Sequence, residues 1–134
     1  MFEYLEKRKI RLVYLPLIIY WLVLFTATSI PVDRLPSVGL SDKINHFAAY
    51  FLLAVLLYLT LIYQRKSRLL FEKAPIATIV ISLLYGAIDE LHQIFIPGRS
   101  AEFMDWAADL LGASMGVLLV TFLIKKMNYN LEFE

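Results

Sequence analysis

Four apolar runs leave this chain few ways to fold: Leu12 to Ile30, Ile44 to Tyr63, Pro75 to about Ile96, and Phe103 to Ile124. A helix rises about 1.5 Å per residue and the hydrocarbon core of a bilayer is about 30 Å thick, so each run can cross it as a helix. The expected fold is therefore all-α, an integral membrane four-helix bundle. Of its 134 residues 60% are hydrophobic, well above the share in an ordinary soluble domain. Three connectors separate the runs. "PVDRLPSVGLSDK" is broken by Pro31, Pro36 and Gly39, "QRKSRLLFEK" is basic, and "IPGRSAE" is short. In the last, Pro97 and Gly98 suit the second and third positions of a type II turn.

The basic residues sort by side. Lys7, Arg8, Lys9, Arg11, Arg65, Lys66, Arg68, Lys73, Lys125 and Lys126 fall on one side of the four spans, and Arg34, Lys43 and Arg99 on the other. Under the positive-inside rule this places both termini in the cytoplasm. The expected organisation is a cytoplasmic tail over residues 1–11, a four-span domain over 12–124 and a second cytoplasmic tail over 125–134. "KRKIR" before an apolar run that passes through "TATS" also fits a cleavable signal peptide, but continuation of the run through Ile30 favours a span. A net charge of +1 gives no reason to expect a nucleic-acid partner, and the absence of cysteine excludes disulfides and thiolate ligands.

With that orientation both histidines and seven of the twelve acids, Asp33, Asp42, Asp89, Glu90, Glu102, Asp105 and Asp109, gather toward the outer side. Asp42, Glu102 and Asp105 stand near helix N-termini, where unpaired N–H groups favour an anion. Asp89 and Glu90 have no such local reason. They stand about 21 Å along a helix from Pro75, near its C-terminal end, where an ionised acid costs up to ~2.5–3.5 kcal/mol. Helical spacing supplies partners: Asp89, His92 and Gln93 share a face with Tyr85, and Asp42 with His46 and Asp105 with Asp109 are i, i+4 pairs. Bundled, they make one outward polar pocket with Lys43 and Arg99 at its rim, the turn aiming Arg99 at the acids or at lipid phosphates. Ala108, Gly112 and Gly116, with Ser82 and Gly86, provide small-residue ridges for close helix packing.

These ordered motifs, "SDKINHFAAYFLLAVLL" followed by "YGAIDELHQIFIPGRSAEFMDWAADLLGASMG", resemble the VanZ-like family of small bacterial membrane proteins. The resemblance rests on Asp42, Lys43 and His46, then Asp89, Glu90 and Gln93, then Pro97, Gly98 and Arg99, then Asp105, Gly112 and Gly116. It implies a multi-pass protein of the bacterial plasma membrane and cell envelope, and a setting in resistance to the glycopeptide teicoplanin. The family pattern often carries Asn at the position of Asp109.

Three readings of the pocket stay open. In a structural one, Asp42 pairs with His46, and Asp89 or Glu90 with Lys43 or Arg99, to hold helices in register. In a binding one, Asp42, Lys43, His46, Asp89, Glu90, His92, Gln93, Arg99, Asp105 and Asp109 recognise a membrane lipid, a lipid-linked envelope precursor or a glycopeptide drug. Tyr50, Phe95, Phe103 and Trp106 would then border the site or anchor at the interface. In a catalytic one, Asp89 or Glu90 is the general base, or a divalent metal held by His46, His92, Asp42 and Glu90 activates water on a lipid or lipid-linked substrate. A homo-oligomer is compatible with each.

Overall fold

The computed structural model describes residues 1–31, 41–64, 66–131 and 133. Pro36 and Gly39, with the charges of Asp33, Arg34 and Arg65, lie outside the described residues. Helix α1 (Phe2–Lys7) is followed by a π-helical turn (Ile10–Tyr14) that runs into α2 (Leu15–Thr28). Helix α3 spans Asp42–Tyr63, α4 Arg68–Glu72, α5 Ala74–Gln93 and α6 Phe103–Lys126. Four of these segments, Ile10–Thr28, α3, α5 and α6, are long and apolar enough to cross a membrane.

Element boundaries follow local chemistry. Pro16 has no N–H to give the preceding turn, and its ring crowds the carbonyl four residues back, so the chain widens there. The Leu15 N–H reaches five residues back to the Ile10 carbonyl. The basic connector contains the short α4, where the Ser67 hydroxyl accepts from the Leu70 N–H and Arg68 Nε pairs with Glu72 at 2.7 Å. Helix α5 stops at Gln93, short of the expected Ile96. The chain then turns at Gly98, φ 77°, with the Arg99 N–H bonded to the Ile96 carbonyl at 3.1 Å, which is the anticipated tight turn.

Helix α3 is the spine. Its backbone lies directly against the small-residue ridge of α6: a β-carbon on Gly112 would run into the Phe47 carbonyl, and one on Gly116 would sit 2.6 Å from the Phe51 carbonyl oxygen. Trp106 Nε1 donates to the Leu83 carbonyl at 3.1 Å and ties α6 to α5. Large side chains such as Ile18, Leu22, Ile76, Leu84, Ile88, Leu111, Leu118 and Phe122 point outward. Several of the most buried groups are polar: Asp89, Glu90, Gln93, Asp105 and Asp109. Such an inverted surface suits hydrocarbon rather than water as the surrounding medium.

The end of the bundle away from these acids is closed by the chain's two extremities. Phe2 is buried and stacks on Tyr129, the Tyr63 hydroxyl donates to the Phe2 carbonyl at 3.1 Å, and Lys9 Nζ donates to the Tyr63 carbonyl at 2.8 Å. Tyr129 also hydrogen-bonds Glu6. Residues 1–11, expected as an N-terminal tail, include the helix α1, whose Phe2 is buried.

Candidate functional site

The acids converge where α3 and α6 begin and α5 ends. One turn into α3, His46 points its Nδ1 at Asp109 Oδ1 of α6, 2.9 Å away, and at Glu90 Oε1 of α5, 4.0 Å away. All three side chains are more than nine-tenths buried. Glu90 Oε2 accepts from the backbone N–H of Glu102 at 2.8 Å, so the carboxylate that ends α5 also fixes the entry to α6. Gly86 permits this arrangement: a β-carbon there would lie 2.8 Å from Asp109 Oδ2 and 3.3 Å from Trp106 Cδ1.

At the rim Lys43 Nζ lies 3.2 Å from Glu102 Oε2 and 3.3 Å from Asp105 Oδ1. Lys43 was expected to meet Asp89 or Glu90. It faces α6 instead, because the first turn of α3 runs beside the first turn of α6. Similarly His46 turns to Asp109 rather than to Asp42, its neighbour one helical turn back. Gln93 Nε2 donates to Asp89 Oδ2 at 3.4 Å, a pairing its i, i+4 spacing allows.

Arg99 takes a different partner from the acids and phosphates anticipated for it. Its Nη2 donates to the Ala27 carbonyl at 3.1 Å and its Nε to the Ile30 carbonyl at 3.4 Å. These carbonyls lie at the C-terminal end of α2, where acceptors lack a full set of helical partners and the helix dipole also favours a cation. His92 stacks on Phe25 of α2, ring centroids 5.3 Å apart, and belongs to neither group of clustered ligand atoms below.

Between α2, α3 and α5 lies a cavity of about 260 Å³. Leu24, Ala27, Thr28 and Ala49 form its less polar wall, and Asp42, Asn45, His46, Tyr50, Tyr85, Asp89 and Arg99 its polar one. An apolar groove along α2, lined by Ile19, Leu22, Val23, Thr26, Ala27 and Ile30, shares Ala27 with the cavity. Among the described residues, the hydroxyls of Tyr50 and Tyr85, Asp89 Oδ1, Glu90 Oε1 and Asp109 Oδ2 are buried without a hydrogen-bond partner. Acceptors are thus in surplus, while both cations at the rim already have partners.

Sequence reasoning missed Asn45 and Glu102 as site residues and the contribution of α2, whose lining residues carry no chemical mark. Tyr50, expected to border the site or to anchor at the interface, is buried in the cavity wall because it stands one turn beyond His46 on the inward face of α3. Its spacing from His46, and that of Tyr85 from Asp89, were the available signals. Phe95 and Phe103 are exposed, and Trp106 is spent on the α5 backbone.

Two triads bring ligand-type atoms within 4.8 Å of one another: Asp42, His46 and Asp105, and His46, Glu90 and Asp109. Imidazole with carboxylate is a donor set that divalent metals accept.

Comparison with known proteins gives two findings. The family model described as VanZ/LLP1 matches residues 5–125. A curated protein of Schizosaccharomyces pombe, printed as "Uncharacterized protein C11E3.10", is 28% identical over 114 residues, covering 84% of this chain and 63% of that protein. The chain therefore spans under two thirds of that relative's length. No solved structure matches the chain.

Proposed function

The chain belongs to the VanZ/LLP1 family, and from that premise and the geometry above we propose that it binds the polar head of a membrane amphiphile in the cavity between α2, α3 and α5. The observation that carries this reading is a cavity with a set of polar groups on one wall that shares Ala27 with an apolar groove. A head can dock in the first while a hydrocarbon tail lies along the second.

The excess of acceptors selects the chemistry. Arg99 and Lys43 already have partners, whereas Asp89 Oδ1 and the two tyrosine hydroxyls do not. A buried polar atom without a partner costs about 1–3 kcal/mol; Asp89 Oδ1 needs a donor and repels an anion, and a tyrosine hydroxyl can donate or accept, so a ligand rich in hydroxyls satisfies all three. Lipid-linked sugar precursors and lipophilic glycopeptides share that chemistry. The charge asymmetry of the connectors supports an outward-facing cavity with both termini cytoplasmic. Catalysis on the same amphiphile is the alternative, favoured by one observation: His46 beside Asp109 can hold and release a proton.

The test uses the full chain in lipid nanodiscs, with a fluorescent lipid-linked disaccharide, the matching acyl phosphate without sugar, and teicoplanin as probes. The sugar-bearing lipid or the glycopeptide is expected to bind, and Asp89→Ala or the cavity-filling Leu24→Trp to weaken binding about tenfold, near 1.4 kcal/mol. Equal binding of the sugar-free acyl phosphate would refute the donor-rich ligand. Equal binding by Leu24→Trp would refute the cavity.

A further inference from the structure

We infer that His46, Glu90 and Asp109 hold one divalent transition-metal cation of the Zn2+ or Mn2+ kind, buried between α3, α5 and α6. The inference does not rest on amphiphile binding: Glu90 and Asp109 lie off the cavity between α2, α3 and α5, and of the three ligands His46 alone also lines it.

The starting point is an oxygen that nothing reaches. Glu90 is 7% exposed, and its Oε2 is accounted for by the Glu102 N–H. Its Oε1 has no hydrogen-bond partner among the described residues and looks toward His46 Nδ1 at 4.0 Å. Glu90 does not line the cavity between α2, α3 and α5, and its Oε1 faces His46 across the bundle interior, where a small cation can reach it.

The spacing fits an ion. Metal–ligand distances of about 2.0–2.2 Å for imidazole nitrogen and carboxylate oxygen place ligand atoms roughly 3.4 Å apart around a tetrahedral ion, and roughly 3 Å or 4 Å apart around an octahedral one. Nδ1 stands 2.9 Å from Asp109 Oδ1 and 4.0 Å from Glu90 Oε1. Asp109 is 1% exposed and its carboxylate is held from behind, its Oδ2 packed where Gly86 lacks a β-carbon. Without the ion the Nδ1–H donates to Asp109. With it, Nδ1 gives its lone pair to the metal, the neutral ring carries its proton on Nε2, and an imidazolium releases its second proton to solvent.

Charge argues the same way. Asp89, Glu90, Asp105 and Asp109 are all buried at this end, and the described Lys and Arg beside them are Lys43, shared with exposed Glu102, and Arg99, bound to α2, with His46 adding one charge when protonated. A divalent ion that replaces a proton on His46 adds one further positive charge. One nitrogen and two oxygens suit Zn2+ or Mn2+ better than Mg2+ or Ca2+, which take oxygen ligands.

The test is metal titration of the full chain, purified in detergent, stripped with chelator and dialysed. Calorimetry with Zn2+ and Mn2+ is expected to give one ion per chain, and Glu90→Gln and Asp109→Asn to weaken binding at least tenfold while retaining wild-type helical circular dichroism. Asp42→Asn, which alters the other triad, is expected to stay within about threefold of wild type. Absence of stoichiometric binding by the wild type would overturn the site, whatever the variants do. So would binding of Mg2+ or Ca2+ alone, or loss through Asp42→Asn with Glu90→Gln unaffected.

Discussion

Gly86 is the residue on which the buried acids depend most simply. In an exposed helix interior Gly→Ala gains about 1 kcal/mol in helix propensity. Here the added methyl would stand 2.8 Å from Asp109 Oδ2 and 3.3 Å from Trp106, so α5 must move off α6 or Asp109 must leave His46. Overpacking of this kind costs about 1–3 kcal/mol, which outweighs the gain. Gly86→Ala is therefore expected to lower the thermal midpoint in detergent, and a raised midpoint would show that the seam has slack. The Ser82 and Gly86 spacing pointed to close packing, but a carboxylate as the packed group was not legible. That pairing needs Asp109 to face α5, a rotation of α6 that the period-four spacing of Asp105 and Asp109 leaves undetermined. Likewise the sequence marked Asp42, His46, Asp105 and Asp109 as inward-facing, while only the relative depth of α3 and α6 decided who met whom.

Helix α2 is the loosest of the four spans. Its ties to the rest run through a few contacts: the Tyr20 hydroxyl on the Ala49 carbonyl at 3.0 Å, Trp21 edge-on to Tyr85, Phe25 on His92, and Arg99 on the Ala27 and Ile30 carbonyls. Arg99→Ala removes the tie at the end that borders the cavity. Amide exchange over residues 24–30 is expected to quicken by tenfold or more, while α3 and α6 keep their protection. Unchanged exchange would mean that the aromatic contacts suffice. No motif could have announced this latch, since its acceptors are backbone carbonyls that every residue possesses. The lengths of the spans were legible because hydrophobic thickness sets them, and the ends were less so: α5 stops three residues early because Ile96 enters the turn around Gly98.

For the molecule as a whole, the absence of cysteine makes topology directly measurable. Ten of thirteen basic residues on one side predict that Ser100→Cys reacts with a membrane-impermeant maleimide in intact cells, and that Met127→Cys reacts only after lysis. The converse labelling would invert the orientation and turn the cavity toward the cytoplasm. Fold class and family were readable from the sequence because apolar length and ordered polar motifs are one-dimensional signals. The polar lining of the cavity was readable in the same way, but the wall that α2 adds was not, because its residues there carry no chemical mark. The cavity's position beside the groove of α2 has a consequence for how binding strength should be judged. A tail that stays in the bilayer confines its head to a thin sheet, so the relevant quantity is the ligand's mole fraction in one leaflet rather than its molarity. A site that looks weak against a soluble headgroup can be saturated by a minor lipid.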